Sequence, residues 1–294
     1  MKNSSRLFVS LVCLLAGFCA SLVQAEERFE RGVLWKVEHK NVLPSFVFGT
    51  IHVDDESVTA LPPAVSDAFN RSEKFAVEAI NDKASTRQFF ASMFFAEPEL
   101  PTLLGQETYR QVDDLLAQRN IPERARSRYK PWAAMLALQQ PQRRGTIVLD
   151  QLMLRNAAQH KKNIIPLETI DEQIAAFNDM SQSTQIALLQ HVQSNHHKIE
   201  SATGEMIDAY LDRDLARLMQ LSRMVDPGGK VSPAQEREFL DRILYSRSKV
   251  MAERLAPQLR IGGVFAACGA LHLYGDQGIL RLLQQQGFKI SRIY

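Results

Sequence analysis

The sequence predicts an α/β fold: a central mixed β-sheet flanked by helices, with a large helical insertion. Two observations lead there. First, like segments lie near the two ends of the chain, Phe46-Val-Phe-Gly-Thr-Ile-His-Val53 and Val264-Phe-Ala-Ala-Cys-Gly-Ala-Leu-His-Leu273. Each reads as a buried strand that stops at a glycine and delivers a histidine three residues later, His52 and His272. Second, each is followed by a helix and another strand, so two related strand–Gly-x-x-His–helix–strand halves enclose a helical middle over about 85–255. With 45% hydrophobic and 23% charged residues the composition is that of an ordinary globular protein. A length of 294 residues is long for one domain but does not require two, and a single domain over 26–294 is expected.

Residues 1–25 have a basic start, an apolar stretch from Leu7 to Val23, and Val23-Gln24-Ala25. That is the pattern of a signal peptide cleaved before Glu26. An exported protein follows, periplasmic or secreted if bacterial, with no stable membrane span in the mature form; an uncleaved N-terminal anchor is the alternative. Leu15-Ala16-Gly17-Phe18-Cys19 falls short of a lipoprotein signal because Phe18 separates Gly17 from Cys19. Cys13 and Cys19 leave with the leader, so Cys268 stays alone, in an apolar strand with no acidifying neighbour, as a buried core residue.

In order, Gly32 to Val37 and Ser45 to Thr50 read as two strands, with Trp35 near the sheet. Leu61-Pro62-Pro63 opens a helix to about Asn70, and Lys74 to Glu78 is a strand expected to run beside the first Gly-x-x-His strand. Val112, Leu115 and Leu116 form one helical stripe; Ile207, Leu211, Leu215 and Leu218 form another. Asn163 to Glu168 is the one strand-like break in the helical middle. Asp226-Pro227-Gly228-Gly229 is a loop, and Gln235 to Leu255 one long helix with Phe239, Leu240, Ile243, Leu244, Val250 and Met251 inward. Gly263 to Cys268 is a strand, Gln277 to Gln286 a helix capped by Gly287, and Phe288 to Ile293 the last strand.

The formal charge is +2, and it vanishes when Lys2 and Arg6 leave with the leader. A neutral chain gives no footing for nucleic-acid binding, and Arg124 to Lys130 reads as a solvated helix face. No Gly-x-x-x-x-Gly-Lys, Gly-x-Gly-x-x-Gly or Gly-x-Ser-x-Gly element occurs. His191, His196 and His197 lack the spacing and the glutamate of a zinc-protease helix and read as an exposed helical segment; His39 and His160 read as exposed.

In open α/β sheets ligands bind beyond the carboxyl ends of strands. Two imidazoles placed there, with Glu78 and Glu168 ending strands of their own, have the ligand types of zinc, manganese or cobalt. The competing reading is two unrelated surface histidines and two solvated carboxylates. Arg247 lies on the helix leading into the second motif, either holding a carboxylate or oxyanion or making a surface salt bridge.

Further segments resemble the TraB/PrgY/GumN family, which is related to the Tiki membrane proteases and more distantly to erythromycin esterase and the haem-associated ChaN proteins. They are Leu34-Trp35-Lys36-Val37, Phe48-Gly49-Thr50-Ile51-His52-Val53, Val77-Glu78, Lys130-Pro131-Trp132, Leu149-Asp150-Gln151, Pro166-Leu167-Glu168-Thr169 with Glu172-Gln173, and Gly269-Ala270-Leu271-His272. The closing Gly275-Asp276-Gln277-Gly278 and Gly287-Phe288-Lys289-Ile290 are also similar. The resemblance implies a helix-flanked sheet with two related halves and a site built from both Gly-x-x-His histidines and acidic residues. Tiki proteins are metal-dependent proteases, which carries by motif to a divalent ion (Mn, Co or Zn) on His52, Glu78 and His272. The chain departs from the family at Arg247-Ser248, often Arg-Asn, and at Arg213-Asp214, often Gly-Asp.

Three functions are therefore expected in competition. One is a metal-dependent hydrolase acting on a peptide or small molecule, with Glu78 or Glu168 as ligand or base and Arg247 assisting. Another is a metal-independent, esterase-like hydrolase using the same residues. The last is a non-catalytic binder of haem or a peptide. The residues leave the substrate and the oligomeric state open.

Overall fold

A computed structural model describes residues 29–80, 82–141, 147–224 and 229–294. The leader expected at 1–25 and most of the loop expected at 226–229 lie outside them. Six strands are present: β1 (Leu34–Glu38), β2 (Ser45–Thr50), β3 (Lys74–Val77), β4 (Asn163–Pro166), β5 (Val264–Gly269) and β6 (Lys289–Arg292). They form one mixed sheet in the order β4-β3-β5-β2-β1-β6. β4, β3, β5 and β2 are mutually parallel, whereas β1 is antiparallel to both β2 and β6. The α/β class read from the sequence is the one observed.

The parallel strands sit where their composition sends them. Every residue of β2 is buried, and β5 is buried up to its terminal glycine. Unbroken apolar runs of this kind belong to strands covered on both faces. Phe48, Phe265, Phe69 and Phe75 pack against one another across the centre, with Phe48–Phe265 and Phe69–Phe265 ring centroids 5.9 and 5.6 Å apart. A second apolar cluster fills the helical middle, around Trp132, Met135, Leu138, Leu188 and Leu189.

Strand order corrects one expectation. β3 does not lie beside β2, because β5 enters between them and pairs with both, Val77 opposite Ala267 and Thr50 opposite Gly269. β5 and β2 take the two central places, and local pattern carries no information about which strand will lie between β3 and β2. The two halves therefore share a pattern but not a topology: the first returns two places from its start, with β5 between, and the second returns to the far edge at β6.

Two helical expectations also change. Ile207, Leu211, Leu215 and Leu218 do not share a helix. Helix Ile199–Leu211 ends, Arg213 takes a positive φ of 58°, and Asp214 caps a new helix Leu215–Leu221 through the Arg217 N–H. Leu211 is left exposed. The expected helix from Gln235 to Leu255 begins earlier, capped by Ser232 at Pro233, and runs to Ile261 despite Pro257. Between these ends, Asp241–Tyr245 winds as a π-helical turn. Single π turns widen a helix by one residue and are frequent at functional sites; this one immediately precedes Arg247 and Ser248. Among the described residues no helix is long and apolar enough to cross a membrane.

Candidate functional site at the carboxyl ends of four parallel strands

The carboxyl ends of β4, β3, β5 and β2 deliver, in that order, Glu168, Glu78, His272 and His52. The ladder extends past β3 and β4, since the Glu168 N–H donates to the Glu78 carbonyl at 2.7 Å. Glu168 is 3% exposed, His272 5% and Glu78 9%.

Gly269 is the centre of the group. A Cβ placed on it would lie 3.3 Å from Glu78 Oε1, 3.4 Å from His272 Cδ2 and 4.0 Å from His52 Nε2. The backbone N–H of Gly269 donates to Glu78 Oε1 at 2.6 Å. The glycine of the second motif thus makes room for both imidazoles and ties a carboxylate between them. In the first motif Gly49 serves packing, since a Cβ there would meet Ala270 Cα at 2.9 Å. The Gly49 carbonyl also accepts from the hydroxyl of Tyr210 at 2.9 Å.

Arg247 binds both glutamates. Its Nη2 donates to Glu78 Oε2 at 2.8 Å and to Glu168 Oε2 at 2.7 Å, and its Nε donates to Glu168 Oε1 at 2.9 Å. Its Nη1 reaches the Ile243 carbonyl at 3.2 Å. This is a buried carboxylate–guanidinium–carboxylate triad, and the solvent-exposed salt bridge weighed for Arg247 is not what forms. Burial alone lowers the guanidinium pKa, but its bonds and charge attraction to Glu168 and Glu78 outweigh it and raise the pKa above its usual value.

Each imidazole is fixed through Nδ1. The Ser248 hydroxyl donates to the Leu244 carbonyl, so its contact with His272 Nδ1, at 2.8 Å, is an Nδ1–H donating to Ser248 Oγ. This tautomer follows from the network and leaves the Nε2 lone pair facing Glu78 Oε1, 3.9 Å away. His52 Nδ1 lies 2.8 Å from Asp150 Oδ2, and Thr50 Oγ1 donates to the other oxygen of the same carboxylate. A carboxylate on Nδ1 aims Nε2 outward, as a metal or proton acceptor requires.

The titration behaviour follows from these partners. The negative charge of Asp150 raises His52 to about 9, although its side chain is 66% exposed and water screens part of that attraction. Burial lowers His272 to about 4, so it is neutral at pH 7. Burial alone raises Glu78, but the charges of His272, which is protonated in that acid range, of Arg247 and of His52, with the Gly269 N–H, bring it down to about 2. With His52 protonated and His272 neutral, the Glu78, Glu168 and Asp150 carboxylates face Arg247 and His52, and a divalent cation that displaced the His52 proton would take over its share of that balance.

Two imidazole Nε2 atoms and the Glu78 carboxylate are in kind the donors of a zinc, manganese or cobalt site. Among the described residues no three His, Cys, Asp or Glu side chains are already arranged around an ion.

Asp150 is the residue that sequence reasoning passed over. Leu149-Asp150-Gln151 stood out only as part of a resemblance, and nothing local links Asp150 to His52. Ser248 entered only as a departure from the family's asparagine, yet its hydroxyl holds His272. The remaining histidines stand apart. His160 is exposed, but His39 packs on Phe288 with ring centroids 5.1 Å apart, and His196 accepts from Arg119 at 3.2 Å. The exposed reading is therefore too simple for those two, and for His191, which is half-buried. Cys268 is buried, with its thiol pKa raised well above the usual value by burial.

The molecule is thus an α/β protein with a two-histidine, multi-carboxylate site beyond the ends of parallel strands. It belongs to the TraB/PrgY/gumN family, whose model matches residues 33–292. A curated relative is Metalloprotease TIKI2 of Danio rerio, 24% identical over 311 aligned positions that cover 88% of this chain and 60% of the relative. The chain thus spans less than two thirds of that relative's length. No solved structure gives a significant match.

Proposed function

We propose that the protein is an exported metal-dependent hydrolase that cleaves peptide bonds. The observation behind this reading is the meeting of His52 Nε2, His272 and Glu78 around Gly269, with each imidazole anchored at Nδ1. The metalloprotease name of the zebrafish relative agrees with it. His52, His272 and Glu78 would hold the ion. A bound divalent cation supplies Lewis acidity to the scissile carbonyl and to the attacking water. Asp150 fixes His52 and Ser248 fixes His272, so both rings are oriented before substrate arrives. Glu78, kept ionised by Arg247 and the Gly269 N–H, is a ligand or takes the proton from water. Both oxygens of Glu168 face Arg247, so its part is to orient the guanidinium, which in turn stabilises negative charge developing on the substrate.

The test is cleavage of a peptide library by the purified mature chain. Activity is expected to be lost with a chelator, restored by Mn, Co or Zn, and lost in His52→Ala and His272→Ala. Cleavage indifferent to both histidines would overturn the reading. A metal-independent reading has one observation in its favour: the His52–Asp150 pair also suits a general base acting on water. Chelator-resistant hydrolysis that still requires His52 would select it. Export is checked by sequencing the N-terminus of the mature protein, expected at Glu26.

A further inference from the structure

Helices Gln182–Asn195, Ile199–Leu211 and Leu215–Leu221, with the π turn Asp241–Tyr245, surround a cavity of about 540 Å³. That is the size of a pocket for a small ligand or a short peptide. Its wall is continuous with the site. Leu271 immediately precedes His272, the Ile243 carbonyl accepts from Arg247, and the Leu244 carbonyl accepts from Ser248. The body of the cavity is apolar, with Met206, Leu221, Met224, Phe239 and Ile243 among its lining.

The charged groups are one-sided. Among the described residues Lys198 and Arg223 line the cavity and no Asp or Glu does. Arg223 is already paired with Glu236 at 2.7 Å, while the described partner of Lys198 is the neutral Asn195 side chain at 3.1 Å. Lys198 is thus the cation best placed to meet an anion. The cavity also carries Thr203 and Ser222, whose hydroxyls donate to their own helices at 2.8 Å and keep lone pairs able to accept from a peptide N–H. A fatty acid has no use for such acceptors.

Resting on the hydrolase reading above, we propose that this cavity holds the C-terminal part of the peptide substrate. A large apolar side chain fills it, and the free terminal carboxylate meets Lys198. The shared chemistry is an apolar body ending in a carboxylate, and the test separates its two sources.

Binding is measured by titration calorimetry on the mature chain carrying His52→Ala, so that no probe is consumed. The probes are acetyl-Leu-Phe as the free acid, its C-terminal amide, and decanoate. The free acid is expected to bind about tenfold or more tightly than the amide, the scale of one charge-assisted hydrogen bond. Lys198→Gln is expected to erase that difference. Met206→Trp, which fills the cavity, is expected to abolish binding with the thermal unfolding transition preserved; should it not fold, exposed Lys198→Gln alone decides. Equal binding of acid and amide, a preference for decanoate, or binding by a folded Met206→Trp protein overturns the proposal. The two readings fail separately. Metal-dependent cleavage without acid–amide discrimination removes only the pocket, and discrimination without any cleavage by the wild-type chain removes only the hydrolase.

Discussion

His52 Nδ1 lies 2.8 Å from Asp150 Oδ2 across a separation of 98 residues. One is a loop residue beyond β2, and the other sits in the first turn of helix Leu149–Gln159 inside the helical middle. Asp150→Asn removes the charge that raises His52, whose pKa is then expected to fall from about 9 towards the usual 6.5, read by NMR titration. Metal affinity or turnover is expected to fall roughly 10–100-fold, the usual effect of losing a carboxylate behind a ligand imidazole. An unchanged His52 titration would show that the pair does not persist in solution.

Metal affinity is expected to rise with pH. An ion must displace the proton from His52 Nε2, and that proton is held up to about 9. Calorimetric titrations with Mn, Co and Zn between pH 6 and 9 check this. Affinity that is flat across the range in wild type but steep in Asp150→Asn would contradict it.

Arg247→Ala leaves Glu78 and Glu168 as neighbouring buried carboxylates without their shared cation. Breaking a buried ion network in this way costs about 3–5 kcal/mol. Urea denaturation is expected to show that loss, and the double variant Glu168→Gln/Arg247→Ala a smaller one. A loss below about 1 kcal/mol would mean that the triad is hydrated, as exposed pairs are.

Acid is expected to destabilise the fold in two overlapping stages. Buried His272 has a pKa lowered from 6.5 to about 4, so the unfolded chain binds more protons in that interval and stability falls as pH falls through it. Glu78, lowered from 4.5 to about 2, loses its contribution between those values. His52, with a raised pKa, acts in the opposite sense, losing its contribution as pH rises from 6.5 to 9, and its exposure makes that part small. Denaturation midpoints measured from pH 8 to pH 3 check the sign, and His272→Gln is expected to flatten the upper stage.

The two motif glycines are expected to respond differently to alanine. At Gly49 the new methyl meets backbone 2.9 Å away, which overpacks the core and costs about 1–3 kcal/mol. At Gly269 it presses on Glu78 Oε1 and the His272 ring, at 3.3 and 3.4 Å, so activity is expected to fall further than stability. Paired melting and activity assays decide; equal loss of activity at equal stability would remove the distinction.

The sequence by itself determined the strands, the two glycine–histidine motifs, the acidic strand ends and the family. Apolar period, a glycine stop and a polar residue just beyond it are local features, and the structure has β2 at the expected bounds and both histidines beyond strand ends. Tertiary structure alone decided that β5 lies between β3 and β2, which sets Glu78 against Gly269 of the second motif. It also decided that Asp150 backs His52, that Ser248 holds His272, and that Arg247 joins two glutamates from different strands. Each of these partnerships spans 24 residues or more and depends on how distant segments are ordered in the sheet and packed around it. That arrangement is settled by apolar burial summed over the whole molecule, a quantity no short window of sequence contains.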